Sequence, residues 1–417
     1  MKKILFLFLA FHFGWAPLLP ASNIKVLFIG NSYVGTNNLP QVYYQLALSA
    51  GDTVTIDANN PGGYTLNGHS TNATSLSKIN AQDWDFVVLQ EQSQMPSFPP
   101  SQVANDVYPY ARILDSLITT NYACSKTLFF MTWGRKFGDA GNCPNYPPLC
   151  TYAGMQQRLR ESYLEMTENN MAMVAPVGAA FARSMALDST LNLYSPDNSH
   201  PSMAGTYLAA CVFYASTFQN SPVGLSYTAG LSPSVTSFLQ QVAEEVVLDS
   251  LSTWHLNPVQ PQSSFTFSQN GNNVSFTNTS LNARNYEWNF GDGNTASTIH
   301  PSHTYLAPGV YNVQLIASLR CWPDTINQTL SIGPNTIKET SLDADYLQIV
   351  PSQQGFAVKN TGAENLNYRL LDLRGRIIFS GTLNPGESEN MNADHAGLGL
   401  LQWNSNRASG AIKIWLD

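Results

Sequence analysis

Between residues 22 and 254 the chain alternates short apolar runs with longer amphipathic stretches, and this alternation restricts its fold more than any other feature. Ile24–Ile29 (IKVLFI) is a compact apolar run that stops at Gly30 and reads as a buried strand. Comparable runs lie at Thr53–Ile56, Phe86–Leu89, Thr127–Met131 and Ala172–Val177. Helical stretches separate them. One begins at Leu39, with Asn38 as its cap, Pro40 in the first turn, Val42, Leu46 and Ala50 on one face, and Gly51 at the end. Others cover 101–119, 152–169, 201–218 and 233–252. A strand that returns through a helix pairs in parallel with its predecessor, and a parallel sheet needs helices over both faces. The expected first domain is therefore α/β and spans 22–254.

A chain of 417 residues exceeds what one core supports, and the pattern does change at 255–264 (HLNPVQPQSS), a linker rich in Pro, Gln and Ser. Beyond it, short alternating runs such as Val274–Phe276, Val310–Ile316 and Thr329–Ile332 predict a small all-β sandwich over 265–335. A second all-β sandwich is expected over 345–417, with strands at Tyr368–Leu373, Ile377–Ser380 and Ala411–Trp415. At the other end, Lys2 and Lys3 precede the apolar run Ile4–Trp15, then Pro17, Pro20 and Ala21. That order describes a secretory signal peptide over 1–21, too short to span a membrane, and no later segment reads as transmembrane. The expected location is thus outside the cell or on its surface. A net charge of −8 excludes the clustered basic footprint of a nucleic-acid partner. In an oxidising compartment Cys143 and Cys150, flanking a Pro-rich loop, can close a small disulfide; Cys124 and Cys211 read as core residues and Cys321 has no evident partner. No Cys/His spacing suggests a metal, and no cofactor is expected.

Two local arrangements carry chemistry. The first strand runs directly into Gly30-Asn31-Ser32-Tyr33, which places Ser32 at the carboxyl end of a parallel sheet, where ligands bind. Far downstream, Asp197 stands three residues before His200 in Ser195-Pro196-Asp197-Asn198-Ser199-His200-Pro201, with Pro201 opening the next helix. A serine becomes a nucleophile when a base takes its proton and a third group fixes that base, so Asp197 and His200 could serve Ser32. Trp133, in FFMTWG after the fourth strand, is a candidate for lining the substrate with Tyr33, or else a packing residue. Glu91 reads as structural or solvated, and His69 as a satisfied loop histidine.

Taken together, these blocks resemble the SGNH (GDSL-like) esterase superfamily. Its members carry Gly-Asp-Ser after strand one and Asp-x-x-His before the last helix; here the blocks read GNSY, with Asn31 in the Asp position, and DNSHP. The resemblance implies a flavodoxin-like three-layer domain around a parallel sheet. It also implies a triad of Ser32, His200 and Asp197 and an oxyanion hole. The hole's donors would be the N–H of Ser32, a Gly N–H after strand two and an amide after strand three. Within Asn59-Asn60-Pro61-Gly62-Gly63-Tyr64 the expected Gly is Gly63, with Gly62 as the alternative. In place of Gly-x-Asn-Asp the third block reads Leu89-Gln90-Glu91-Gln92-Ser93, so the expected amide is Gln92, with Gln90 as the alternative.

The β segments carry resemblances of their own. Tyr286–Gly293 (YEWNFGDG), His303-Thr304-Tyr305 and Gly309-Val310-Tyr311 resemble a PKD domain, an immunoglobulin-like sandwich. Tyr368–Gly381 (YRLLDLRGRIIFSG) resembles a type IX secretion sorting domain, although the preceding VPSQQG lacks that family's Pro-Asn-Pro; secretion machinery is the partner this implies. The combined expectation is an exported serine hydrolase of carboxylic esters, with acetylated polysaccharide as the favoured substrate. A lipase or thioesterase of the same superfamily, or a non-catalytic glycan-binding adhesion protein, are the alternatives.

Overall fold

A computed structural model describes residues 23–257, 259–333 and most of 346–416; the expected signal peptide lies outside the described residues. The chain divides into two compact units. The first runs to Gln260 and takes in Arg320–Trp322; the second holds Pro261–Leu319 and the chain from Pro323 onward.

The first unit is built on five parallel strands: β1 (Asn23–Ile29), β2 (Thr53–Asn59), β3 (Phe86–Leu89), β4 (Lys126–Phe130) and β5 (Met173–Ala175). They lie in the order β2-β1-β3-β4-β5, the flavodoxin-like arrangement, in which the order reverses beside β1. Registers such as Val26↔Phe86 and Val26↔Ile56 fix β1 between its neighbours. Val26, Leu27, Phe28 and Ile29 are fully buried, as a central strand covered on both faces requires, and each such side chain contributes about 1.5–3 kcal/mol.

Ten helices accompany these strands among the described residues: α1 (Ser32–Gly35), α2 (Leu39–Ser49), α3 (Leu66–Thr71), α4 (Ala73–Ile79), α5 (Pro100–Asp106), α6 (Tyr108–Asn121), α7 (Tyr152–Asn169), α8 (Val177–Leu187), α9 (Met203–Phe218) and α10 (Pro233–Leu248). Val177, expected in the fifth strand, opens α8 instead, and the helix expected over 233–252 ends at Leu248. Three further details differ from the sequence expectation. Asn38 precedes α2 in a left-handed conformation (φ 53°), and its side chain makes no capping bond. The stretch 101–119 is two helices, α5 and α6, divided at Val107. Helix α9 begins at Met203, capped by Ser202, whose side chain accepts from Gly205 N–H; Pro201 stands just outside. Almost every side chain of α9 is buried, so it forms the inner support for the loop that precedes it.

Cysteine pairing also departs from expectation. Cys143 is bonded to Cys150, but Cys124, expected in the core, is bonded to Cys321, which the sequence left unpaired. Cys211 is buried and free.

In the second unit, strands Phe265–Asn270, Asn273–Asn278 and Ser302–Thr304 form one sheet, and Asn285–Asn289, Thr295–Ala296, Gly309–Leu319 and Trp322–Ile332 another. Trp288 and Phe290, two residues apart, turn to the same buried side, as a strand's period of two demands. Further on, sheets of three and four antiparallel strands enclose a core that includes Val358, Leu370 and Leu401. Among the described residues no helix is long and apolar enough to cross a membrane.

Candidate active site

At the end of β1 the backbone turns sharply into α1. Gly30 N–H donates to Asn59 O (3.1 Å), prolonging the ladder with β2 by one residue. A Cβ on Gly30 would lie 2.6 Å from Gln90 Oε1 and 2.7 Å from a methyl of Val34, so a larger residue would have to displace these side chains. Asn31 is the N-cap of α1, its Oδ1 accepting from Tyr33 N–H (3.1 Å). Ser32 is the first residue of α1, and its N–H therefore has no partner within the helix.

Residues 195–200 bring the other two groups to it. Ser32 Oγ lies 2.9 Å from His200 Nε2, and His200 Nδ1 lies 2.5 Å from Asp197 Oδ2. The second oxygen of Asp197 accepts from the N–H groups of Ser199 and His200 (both 3.0 Å). Burial pushes the Asp197 carboxyl up, but the His200 ring and these two N–H groups outweigh it and hold it below the usual range. Backbone bonds close the loop: Ser195 N–H donates to His200 O (2.8 Å), Asn198 sits at φ 60°, and Lys136 N–H donates to Asn198 O (3.0 Å). A hydroxyl, an imidazole and an ionised carboxylate in series are the groups that base-assisted attack by serine needs.

Tyr33 and Trp133, the candidates for lining substrate, are buried instead (3% and 0% exposed). Trp133 is stacked between Tyr33 (4.7 Å between ring centres) and Phe181 (4.1 Å), and its Nε1 donates to Ser199 O (3.0 Å). Tyr33 Oη bonds Ser199 Oγ at 2.7 Å. Both rings thus lie beneath the histidine loop and hold it up from below. Burial raises the Tyr33 phenol, which stays neutral. Likewise His69 belongs to α3, fully buried, with Nε2 2.8 Å from Gly30 O and Nδ1 2.7 Å from Ser75 Oγ; burial lowers its pKa against the opposing bond to Gly30. It is satisfied as expected, but in a helix and not in a loop.

The two glutamines proposed for the third donor part company. Gln90 is fully buried, its Oε1 accepting from Asn31 N–H (2.8 Å) and its amide donating to Glu91 O, so its amide is engaged inside the protein. Gln92 is half-buried. Its Oε1 accepts from Gln94 N–H (2.9 Å) and its Nε2 lies 3.2 Å from Gln94 Oε1. Gln94 is in turn held by Asp139, Nε2 to Oδ2 at 2.5 Å. After β2, Pro61 O accepts from Tyr64 N–H (3.3 Å), closing a tight turn in which Gly63 takes φ 69°, a conformation that suits glycine.

Four supporting residues were missed at the sequence level: Asn31 as a bridge, Gln90 as a brace, Ser199 as the anchor for two aromatic rings, and Asp139 behind Gln94. Only Asn31 carried a signal, because Asn replaces the usual Asp. Its Nδ2 donates to Tyr64 O (2.9 Å), which a carboxylate cannot do. Among the described residues no group of three or more His, Cys, Asp or Glu is placed to hold a metal ion.

The strand order and the site together define a flavodoxin-like α/β unit with a serine, a histidine and an aspartate joined at the carboxyl end of its sheet. Residues 257–330 match the PKD domain family. Similar solved structures include a DUF4886 family protein from Bacteroides uniformis (19% identity, TM-score 0.46, covering 54% of this chain and 95% of that one). A protein from Slackia heliotrinireducens, described as a candidate SGNH hydrolase, is 26% identical with a TM-score of 0.38, over 46% of this chain and 97% of that one. The PKD1 domain of the Vibrio cholerae metalloprotease PrtV is 30% identical with a TM-score of 0.18, over 18% of this chain and all of that domain. No curated protein matches the chain.

Proposed function

We propose that the first unit is an exported serine hydrolase acting on carboxylic esters, with Ser32 as nucleophile, His200 as general base and acid, and Asp197 as the group that orients His200. The observation that carries this is the unbroken series Ser32 Oγ, His200 and Asp197, at 2.9 and 2.5 Å. In the first step His200 takes the proton of Ser32 while Oγ attacks the ester carbonyl. The oxyanion is held by the N–H groups of Ser32 and Gly63 and the amide of Gln92. His200 then passes its proton to the leaving alcohol, and water, activated by the same imidazole, releases the acid from the acyl-enzyme. Each oxyanion donor contributes about 3 kcal/mol to the transition state.

Export is supported by Lys2, Lys3 and the apolar run Ile4–Trp15, and by the PKD module, a type suited to extracellular proteins. The segment Tyr368–Gly381 is proposed to direct sorting at the cell surface. For substrate we favour acetyl esters of polysaccharide over lipid or thioester, because export and an appended β module suit an insoluble glycan.

Ser32→Ala is expected to abolish hydrolysis of a short-chain aryl ester while thermal unfolding stays unchanged. Retained turnover in that variant refutes the nucleophile assignment. A panel of acetylated xylan, pectin and short-chain lipids, each run beside Ser32→Ala, then separates the glycan reading from a lipase. No turnover of any of them by the wild type would favour a glycan-binding protein.

A further inference from the structure

One buried acid has no part in the mechanism above. Glu91 is fully buried, and among the described residues no cation is bonded to it. Its Oε2 accepts from Leu66 N–H (3.1 Å) and its Oε1 from Gln92 N–H (2.5 Å). Leu66 is the first residue of α3, directly after the Gly62–Thr65 turn; Gln92 is the proposed third donor. One carboxyl group therefore ties together the two segments that carry the second and third oxyanion donors.

The other two connections are also present. The amide of Gln90 donates to Glu91 O while its Oε1 accepts from Asn31 N–H, joining the third segment to the nucleophile turn. Asn31 Nδ2 donates to Tyr64 O, joining the nucleophile turn to the second segment. Each of the three donor-bearing segments is thus linked to the other two by a side chain. Two of these links are neutral amides. The third is a carboxyl taken out of water, and its burial raises it to about 8 against the pull of the two N–H groups. Tyr163 on α7, which feels this acid, is fully buried and neutral, raised chiefly by burial and further by the acid, and adds no compensating positive charge. An unpaired acid in such a place is costly, so a role for it is to be expected.

We propose that Glu91 is a positioning residue for ester hydrolysis: by accepting from Leu66 and Gln92 at once, it sets the distance between the Gly63 and Gln92 donors. This rests on the serine-hydrolase reading and deepens it. Either oxygen of a carboxyl, protonated or not, keeps a lone pair for an N–H. A glutamine side chain has one oxygen only, and its NH2 would face a backbone N–H, donor against donor.

Glu91→Gln should therefore lower kcat about 10-fold and Glu91→Leu about 100-fold, with KM within about two-fold, because a misplaced donor is felt in the transition state and not in ground-state binding. Combined with Gln92→Ala, Glu91→Gln should cost less than the product of the two single effects, since both act through one donor. The same variants should slow labelling of Ser32 by a fluorophosphonate, whose phosphoryl oxygen occupies the oxyanion position whatever the natural substrate. If the Glu91 variants fail to fold, Leu66→Pro removes one donor from the other side, at a helix position that tolerates proline, and should lower kcat in the same manner. Wild-type kcat and labelling rate in folded Glu91→Gln, with Ser32→Ala inactive, overturn the role of Glu91 alone. A wild-type protein that is not labelled at Ser32 overturns the hydrolase reading, and this inference with it.

Discussion

Restoring the residue most common in the resembled superfamily should damage this protein. In Asn31→Asp the oxygen that caps Tyr33 N–H is retained, so α1 keeps its start. The other half of the side chain is the problem. Asn31 Nδ2 now donates to Tyr64 O at 2.9 Å, and an aspartate oxygen would face that carbonyl lone pair to lone pair, at a position only 2% exposed. Losing the hydrogen bond removes about 1 kcal/mol, and leaving Tyr64 O and the new oxygen buried without a donor adds about 1–3 kcal/mol. A total of about 2–4 kcal/mol is expected from urea unfolding. If the Gly62–Thr65 turn moves away to relieve the repulsion, kcat for an aryl ester should fall about 10- to 100-fold as the Gly63 donor leaves its place. Asn31→Ala leaves the turn unbonded but not repelled, and also removes the cap on Tyr33 N–H; its activity should still fall between the wild type and Asn31→Asp. An Asn31→Asp protein with wild-type stability and kcat would refute the claim that this amide bridges the two segments.

Two further outcomes follow from the same geometry. Gly30→Ala should destabilise the protein by about 1–3 kcal/mol in urea unfolding, since the added methyl meets Gln90 Oε1 at 2.6 Å and Val34 at 2.7 Å. Because Glu91 titrates at about 8 in the fold and near 4.5 when unfolded, the native state holds the extra proton between those values; stability is fullest below the lower value and falls as pH rises through the window, by up to about 1.4 kcal/mol per pH unit, and Glu91→Gln should flatten that fall in thermal unfolding.

The parts of this fold visible in the sequence are those whose burial is two-sided. Strand β3 and the inner parts of β1 and β4 have no solvent face, so they appear as largely apolar runs, and the glycine after β1 marks the turn. Helices α3 and α4 were not visible because LNGHST and ATSLSKI are short and polar, held by the caps Thr65 and Asn72 and not by an apolar stripe. Helix α8 was hidden for the opposite reason: Val177 continues the apolar run of β5, and nothing in the sequence marks where extension becomes helix. Asp197 and His200 could be paired in advance since three residues separate them. Cys124 and Cys321, 197 residues apart, could not. Trp133 was ambiguous because an aromatic ring near a site has the same appearance in sequence whether it touches substrate or supports the loop that does.

The same topology explains why side chains brace this site. In the order β2-β1-β3 the ends of three neighbouring strands stand about 4.8 Å apart, held by backbone ladder bonds as far as Gly30 N–H to Asn59 O and Gln90 N–H to Ile29 O. Past that edge the chains diverge into α1, the Gly62–Thr65 turn and the Gln92 segment, and no ladder joins them. Asn31, Gln90 and Glu91 take over there, each carrying one further cross-link between chains that the sheet has just released. The place of Gln92, the proposed third donor, is set by the acid beside it and by Gln94. The sheet supplies the neighbourhood, and these three side chains join the chains beyond it; on the proposed mechanism they set the spacing of the oxyanion donors.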